Sequence, residues 1–163
     1  EKKNNYIMSV FKKGIYFGLA VCDITTGDFY ASKIMGENNY AALIDELSKF
    51  NPAEIIVNKM LFDSVEEISG IRKRFGVYIT NLSEETFSED IENLLQNYTF
   101  IENERKKEEL DNYLLEVASI NALLNYLNQT QKIKLEHINL INLYSTNVRS
   151  RFNTSERYAC YGG

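Results

Sequence analysis

An uninterrupted apolar run at residues 15–22, IYFGLAVC, constrains the fold of this chain more than any other stretch. A strand of this composition has no face that can meet water, so it is predicted to be the central strand of a sheet covered on both sides. Alternating runs at residues 6–11 and 29–34 flank it. Gly14 and the turn-forming residues 23–28 join the three runs, which together predict a three-stranded meander.

Helical and strand patterns alternate through the rest of residues 1–98, which we assign to one domain. The helical patterns and the short strand-like runs lie, in chain order, at residues 39–50, 54–57, 61–71, 77–80 and 83–98. The resulting order, βββαβαβα, is that of a ribonuclease H-like fold. It predicts an α/β domain with a mixed five-stranded sheet flanked by helices.

The last third of the chain has a different character. Residues 99–109 are charged and unpatterned, which predicts a linker. Residues 110–131 form a long helical pattern with apolar side chains on two faces, more than the first domain is expected to cover. The chain is therefore interpreted as a fragment in which residues 110–147 begin a helical core domain. The tail, residues 148–163, shows neither the helical nor the strand periodicity of apolar residues. It is predicted to be disordered or foreign to the native protein.

Charge and composition argue against several classes of function. The formal net charge is -5, and three of the 18 basic residues lie in the tail, so the body before it is more acidic still. An acidic body repels phosphate, so direct binding of duplex DNA is not expected. The chain has no apolar run long enough for a membrane span, no signal-peptide pattern and two poorly placed cysteines, which predicts a cytoplasmic protein. It also lacks a phosphate-binding glycine loop and a nucleophile elbow, so neither a cofactor nor a catalytic residue is predicted for this fragment.

The predicted fold raises the alternative of a degenerate metal-dependent nuclease. Such a site needs carboxylates from the first strand, the first helix and the end of the fourth strand, so that two Mg²⁺ ions share oxygen ligands. Only the first helix supplies them, with Asp45 and Glu46. Residues 7–10 of the first strand contain no acid, and the fourth strand ends in Asn58. The nuclease stays an alternative with an incomplete ligand set, and no metal site is predicted.

Several other polar groups have a structural explanation that is favoured over a functional one. Asp23 and Asp28 flank a turn of the kind that an aspartate caps with its own side chain. His137 has no second histidine and no suitable cysteine with which to bind zinc, so a hydrogen-bonded structural histidine is predicted. Burial in an apolar strand is expected to raise the pKa of the Cys22 thiol. The basic residues 72–74 suit the last turn of a helix, where cations complement the dipole.

The acidic stretch 82–90 has two interpretations. Its carboxylates, Glu84, Glu85, Glu89 and Asp90, are locally favourable at the start of a helix, and a solvated helix start is the simpler explanation. The same group is usable as a docking face, because clustered acids speed the encounter with a basic partner.

Four motifs occur in a fixed order along the chain: NYI at residues 5–7, DITTGDF at 23–29, NPAEII at 51–56, and ALLNYL with a later TQ within 122–131. Together they resemble the connector domain of the MutS family of DNA mismatch-repair proteins, followed by the start of the core domain of that family. The resemblance covers residues 4–144 and is collinear.

The resemblance implies a connector without nuclease chemistry that relays between the mismatch-binding domain and the core and ATPase domains. It further implies a docking surface for the protein MutL. ATP, Mg²⁺ and mismatched DNA are expected to bind only through other parts of the full-length protein. We expect the MutL contact around Ser83, Glu84, Glu85 and Thr86, with the basic residues 72–74 as the next candidate.

Overall fold

A mixed β-sheet forms the centre of the molecule. The computed structural model describes residues 5–97, 99–100, 110–130, 135–138 and 140–146. The strands in these residues are β1 (Tyr6–Lys13), β2 (Tyr16–Asp23), β3 (Phe29–Ile34), β4 (Glu54–Val57), β5 (Tyr78–Asn81), β6 (Thr99–Phe100) and β7 (Leu140–Leu143). Their order across the sheet is β5-β4-β1-β2-β3-β7-β6. Strand β2 is antiparallel to β1 and β3, whereas every other neighbouring pair is parallel.

Helices and 3₁₀ turns surround the sheet. The helices are α1 (Asn39–Phe50), α2 (Lys59–Phe62), α3 (Val65–Phe75), α4 (Ile91–Asn97) and α5 (Leu114–Thr130). The 3₁₀ turns are Glu84–Thr86, Asp111–Tyr113 and Leu135–His137. The α/β class, the mixed sheet and the long helix that the sequence predicts are confirmed.

Helices α1, α2 and α3 cover one face of the sheet. Met8 and Val10 of β1 belong to the same buried apolar cluster as Leu43 of α1 and Ile71 of α3. Alternate residues of β1 face this cluster because side chains alternate along a strand. Helix α1 ends at Phe50, and the left-handed φ of 47° at the following Asn51 confirms the predicted stop before the single proline.

The long helix α5 covers the opposite face. Its buried residues, such as Val117 and Ile120, form one apolar cluster with Ala20 and other residues of the sheet. The helix approaches β2 so closely that a Cβ atom at Gly18 would lie 2.1 Å from the carbonyl oxygen of Leu115. Strand β2 is thus covered on both sides, as its apolar sequence predicts.

The turns of the meander have the predicted chemistry. Gly14 has a φ of 64°, a conformation that suits glycine. At the second turn, Asp23 Oδ1 accepts hydrogen bonds from the backbone N–H groups of Thr25 (2.8 Å) and Thr26 (3.3 Å). The carboxylate therefore caps its own turn, and the structural interpretation of Asp23 is confirmed.

The second predicted helix is divided into α2 and α3. The division falls at Ser64, whose hydroxyl donates a hydrogen bond to the carbonyl oxygen of Met60 (2.8 Å). Serine favours such local bonds to the backbone over the interior of a helix, and α3 begins at the next residue, Val65.

The third predicted helix, residues 83–98, is shorter than predicted. The structure has a 3₁₀ turn at its start, and α4 begins only at Ile91. The side-chain amide of Asn121 on α5 donates to the carbonyl oxygens of Ser88 (2.7 Å) and Asp90 (3.3 Å). These carbonyls are bonded by a distant side chain rather than within a helix.

Two elements, α5 and β7, lie in residues 110–147, which are predicted to begin a separate domain, and the predicted division into domains stays a prediction. Helix α5 packs on β1, β2 and β3, and α4 contacts it as well, which explains why it is apolar on two faces. Strand β7 pairs with β3, so the sheet of the described residues has seven strands rather than five. Strand β6 falls within the predicted linker. Residues 101–109 of that linker and the predicted tail, 148–163, lie outside the described residues.

Candidate functional site

The carboxyl ends of β1 and β4 meet at one end of the sheet, where a buried asparagine links them. Asn58 directly follows β4 and has no exposed surface. Its Oδ1 atom accepts a hydrogen bond from the backbone N–H of Lys12 (2.9 Å), and its Nδ2 atom donates to the carbonyl oxygen of Lys12 (2.9 Å). The side chain thereby continues the parallel pairing of the two strands. It also occupies the end of the fourth strand, one of the positions at which the nuclease alternative needs a carboxylate.

The predicted docking residues form a 3₁₀ turn at this same end. The backbone N–H of Thr86 donates to the carbonyl oxygen of Ser83 (3.0 Å), and the two hydroxyls lie 2.9 Å apart. Asn58 Nδ2 also donates to Glu84 Oε2 (3.2 Å). Ser83, Glu84 and Glu85 are exposed and Thr86 is half-buried. The structure therefore brings all four predicted residues together on an accessible turn.

The turn is held in place by the residue that follows it. Phe87 is buried and stacks against Phe11 of β1, with ring centroids 5.5 Å apart. The side chain of Asn121 on α5 binds the carbonyl oxygens of Ser88 and Asp90, which follow the turn in the chain. Of the remaining predicted acids, Glu89 forms a salt bridge with Lys13 (3.2 Å). The acidic stretch therefore presents Glu84 and Glu85 on an anchored turn, while Glu89 is engaged by a lysine of β1.

The nuclease alternative finds no support in the ligand positions. Glu46 is buried, accepts a hydrogen bond from the Tyr144 hydroxyl (2.7 Å) and lies 3.2 Å from Lys49 Nζ. Asp45 points to solvent, and the middle of β1 is occupied by the buried Ser9. Within the described part of the chain, no three residues of the types that bind metals come together.

The remaining sequence candidates occupy structural positions. Burial and, to a smaller extent, the nearby Asp23 and Asp28 raise the pKa of the Cys22 thiol to about 12, as predicted. His137 is exposed, and its backbone carbonyl faces Gly27. The predicted hydrogen bond of the imidazole stays a prediction. The basic residues 72–74 are exposed in the last turn of α3, as predicted.

A network around the buried Glu54, which the sequence analysis missed, joins β4, β5 and α5. Glu54, the acid of the NPAE motif, accepts hydrogen bonds from the hydroxyls of Thr80 (3.1 Å) and Tyr126. Burial, followed by the bond to Glu54, raises the pKa of Tyr126 to about 12. The only sequence signal was an acid at the start of an apolar strand, which by itself does not identify its partners.

Comparisons with a family model and with curated proteins identify the same family. The family model of MutS domain II matches residues 5–139. The DNA mismatch repair protein MutS of Ruminiclostridium cellulolyticum is 42% identical over 146 residues, which cover 89% of this chain and 16% of that protein. The MutS of Acetivibrio thermocellus is 38% identical over 149 residues, with 88% and 16% covered. The MutS of Clostridium tetani is 35% identical over 159 residues, with 94% and 17% covered.

The chain thus spans less than a fifth of the length of these curated relatives. As for membranes, the helices in the described residues are all too short or too polar to cross one.

Proposed function

Because the chain belongs to the MutS domain II family, the connector of the DNA mismatch-repair protein MutS, we propose that it is a non-catalytic relay that also docks MutL. It joins the mismatch-binding domain to the core and ATPase domains of the full-length protein. Those other domains bind ATP with Mg²⁺ and contact the mismatched DNA. The protein acts in the cytoplasm.

The fold that we propose for this connector is ribonuclease H-like. The order β3-β2-β1-β4-β5, with β2 antiparallel to its neighbours, supports this assignment. A non-catalytic role is supported by the three positions that carry metal ligands in nucleases of this fold. Here they hold Ser9, a glutamate bonded to Tyr144 and Lys49, and the structural Asn58.

A relay requires that the segment leaving the domain be tied to its core. Residues 140–146 meet this requirement, since β7 pairs with β3 and the bonding continues beyond β7. The Ser32 hydroxyl donates to the carbonyl oxygen of Tyr144, and the Thr146 hydroxyl donates to that of Lys33 (3.0 Å). A displacement of this segment is therefore passed to the central sheet instead of being absorbed in a loose loop.

One observation carries the docking role: both faces of the sheet are covered by helices. A partner protein must then meet a sheet end, a sheet edge or the outside of a helix. The 3₁₀ turn at Ser83, Glu84, Glu85 and Thr86 is exposed, acidic and anchored by Phe87, which suits a specific contact with a basic surface.

The test is a charge reversal in full-length protein, E84K/E85K/T86R. We expect MutL recruitment to fall at least about tenfold, because two attractive contacts become repulsive. Mismatch binding and ATP hydrolysis should stay near normal, since their sites lie on other domains in this proposal. The matched control is E37K/D45K, which reverses two exposed acids on the α1 side of the domain. Unchanged recruitment by the triple variant, or an equal loss in the control, would move the contact elsewhere.

A further inference from the structure

Three tyrosine rings lie around Phe50, the last residue of α1. The centroid of the Phe50 ring is 5.2 Å from that of Tyr6, and the two rings meet edge to face, at an interplanar angle of 80°. Aromatic pairs favour this arrangement. The corresponding distances are 6.0 Å to Tyr30 and 6.3 Å to Tyr144. Tyr6 begins β1 and Tyr144 directly follows β7, so Phe50 contacts both the start of β1 and the segment after β7.

The backbone holds Phe50 at the start of β1. Helix α1 stops here because the next residue, Asn51, is left-handed, and its N–H donates to the carbonyl oxygen of Leu47 (2.7 Å). The backbone N–H of Ala53 then donates to the carbonyl oxygen of Tyr6 (3.0 Å). The start of β1 is therefore joined to the end of α1 by a ring contact and, two residues beyond the helix stop, by a backbone hydrogen bond.

A buried polar contact joins the segment after β7 to the same helix. We refer to residues 144–146 as the exit segment. The Tyr144 hydroxyl donates to Glu46 Oε1 (2.7 Å), and Lys49 Nζ lies 3.2 Å from that oxygen and 4.6 Å from the centre of the Tyr144 ring. Glu46 is only 2% exposed, and burial, followed by the charge of Glu46 and the hydrogen bond to it, raises the pKa of Tyr144. Removing a hydrogen-bond donor from a buried carboxylate is costly, so this contact strongly favours one position of the exit segment.

The contacts around Phe50 provide a shorter connection than the sheet does. In the sheet, β1 and β7 are separated by two strands, β2 and β3. Through α1, the start of β1 and the exit segment are separated only by Phe50 and by the bond between Glu46 and Tyr144. Packed rings and a buried hydrogen bond are either made or broken, so the exit segment has docked and released states rather than a continuous range of positions.

We propose that Phe50 and the bond between Tyr144 and Glu46 form the path by which a movement of β1 reaches the exit segment. This inference rests on the proposed relay function and names the residues that perform it. Helix α1 moves as a rigid element between its two contacts, and the exit segment docks or is released accordingly. Transmission through the sheet is the competing route, and the experiments distinguish it.

The first experiment compares Tyr144→Phe with Tyr40→Phe in full-length protein. Tyr40 is the matched control because it lies on α1, is half-buried and donates its hydroxyl to the carbonyl oxygen of Glu67 (3.2 Å), on α3 instead of the exit segment. The measurement is the factor by which mismatched DNA changes the rate of ATP hydrolysis. This factor should fall at least about twofold in Y144F and be unchanged in Y40F, while mismatch affinity and the hydrolysis rate without DNA stay near normal. Glu46→Gln should keep the wild-type factor, because the amide oxygen still accepts the Tyr144 hydroxyl.

The second experiment tests the aromatic half of the path by comparing Phe50→Leu with Phe75→Leu. Phe75 is the matched control because it is also half-buried, ends helix α3 and packs against the same apolar cluster. Among the described residues, its ring contacts no other aromatic ring. The response to mismatched DNA should fall at least about twofold in F50L and stay normal in F75L. Thermal unfolding of all the variants serves as the folding control.

The possible failures are distinguishable. A wild-type protein whose ATP hydrolysis does not respond to mismatched DNA would overturn the proposed relay itself. A wild-type response that persists in full in Y144F and F50L would leave the relay intact and overturn the path, because the sheet would then carry the movement. Equal losses in the test variants and their controls would also overturn the path, as would a loss in E46Q as large as that in Y144F.

Discussion

Replacing Gly18 with alanine tests how closely α5 packs on the sheet. An alanine Cβ at this position would lie 2.1 Å from the carbonyl oxygen of Leu115, whereas Cβ atoms essentially never approach other atoms within 3.0 Å. The obstacle is the backbone of a helix and not the end of a flexible side chain. The helix or the strand must therefore move by about 0.9 Å.

The cost follows from the contacts that such a movement loosens. A gap of roughly 0.5–1 Å forfeits a quarter to a half of the dispersion energy of each contact. Helix α5 buries Val117, Ile120 and Leu124, among others, against this face of the sheet and the elements next to it. Overpacked positions typically cost 1–3 kcal/mol, and a backbone obstacle places G18A at the upper end, about 3 kcal/mol.

Equilibrium unfolding of the domain in urea measures this cost directly. The control is Gly14→Ala, where φ is 64° and a Cβ would meet no atom within 4 Å. It should cost about 1 kcal/mol, because only the left-handed backbone conformation opposes the substitution. A loss for G18A no larger than that for G14A would refute the close packing of α5 on β2.

Two further predictions concern buried polar groups. Asn58→Ala should lower the free energy of unfolding by about 3 kcal/mol, because it leaves the N–H and carbonyl of Lys12 without their partner, and it should speed amide exchange in residues 83–87. The exposed Asn38, which makes no capping bond, is the control, and comparable losses for N58A and N38A would contradict this. The folded state disfavours the Cys22 thiolate, because burial raises the pKa of this thiol from its ordinary value of 9.0 to about 12. The free energy of unfolding should therefore be highest below pH 9.0 and fall as the pH rises towards about 12. Urea titrations across this range should show a flatter decline for Cys22→Ala, and an identical slope would contradict the assignment.

The local features of the fold could be predicted because they depend on neighbouring residues. The apolar run of β2 requires cover on both faces, and the structure provides it. Gly14 and Asp23 form the turns that their chemistry favours, and the left-handed Asn51 ends α1. Each of these outcomes is decided within a few residues of sequence, where side-chain type and backbone preference act directly.

The position of α5 could not be predicted in the same way. Its two apolar faces require two partners, but a sequence pattern does not identify which elements supply them. Strand β7 has only a short, mixed pattern and is defined by its pairing with β3. The third helix is interrupted through Asn121, a residue more than 30 positions away from the carbonyls that it binds.

In the candidate site, too, some features could be predicted from the sequence and others could not. The exposure of Glu84 and Glu85 follows from their charge, and both are indeed on the surface. The bond from Asn58 to Glu84 joins residues 26 positions apart, and that from Asn58 to Lys12 joins residues 46 apart. Such contacts depend on the strand order, so the anchoring of the turn by Asn58 became visible only in the folded chain.

A titration of isotope-labelled domain with the N-terminal domain of MutL, followed by NMR, shows directly whether MutL binds at the acidic turn. We expect the amide signals of residues 83–86 to shift, and higher salt to weaken the binding. Tyr78 and the basic residues 72–74 should be unaffected. Shifts confined to residues 72–74, or an absence of shifts at 83–86 under conditions where MutL binds, would show that the acidic turn is not the docking site.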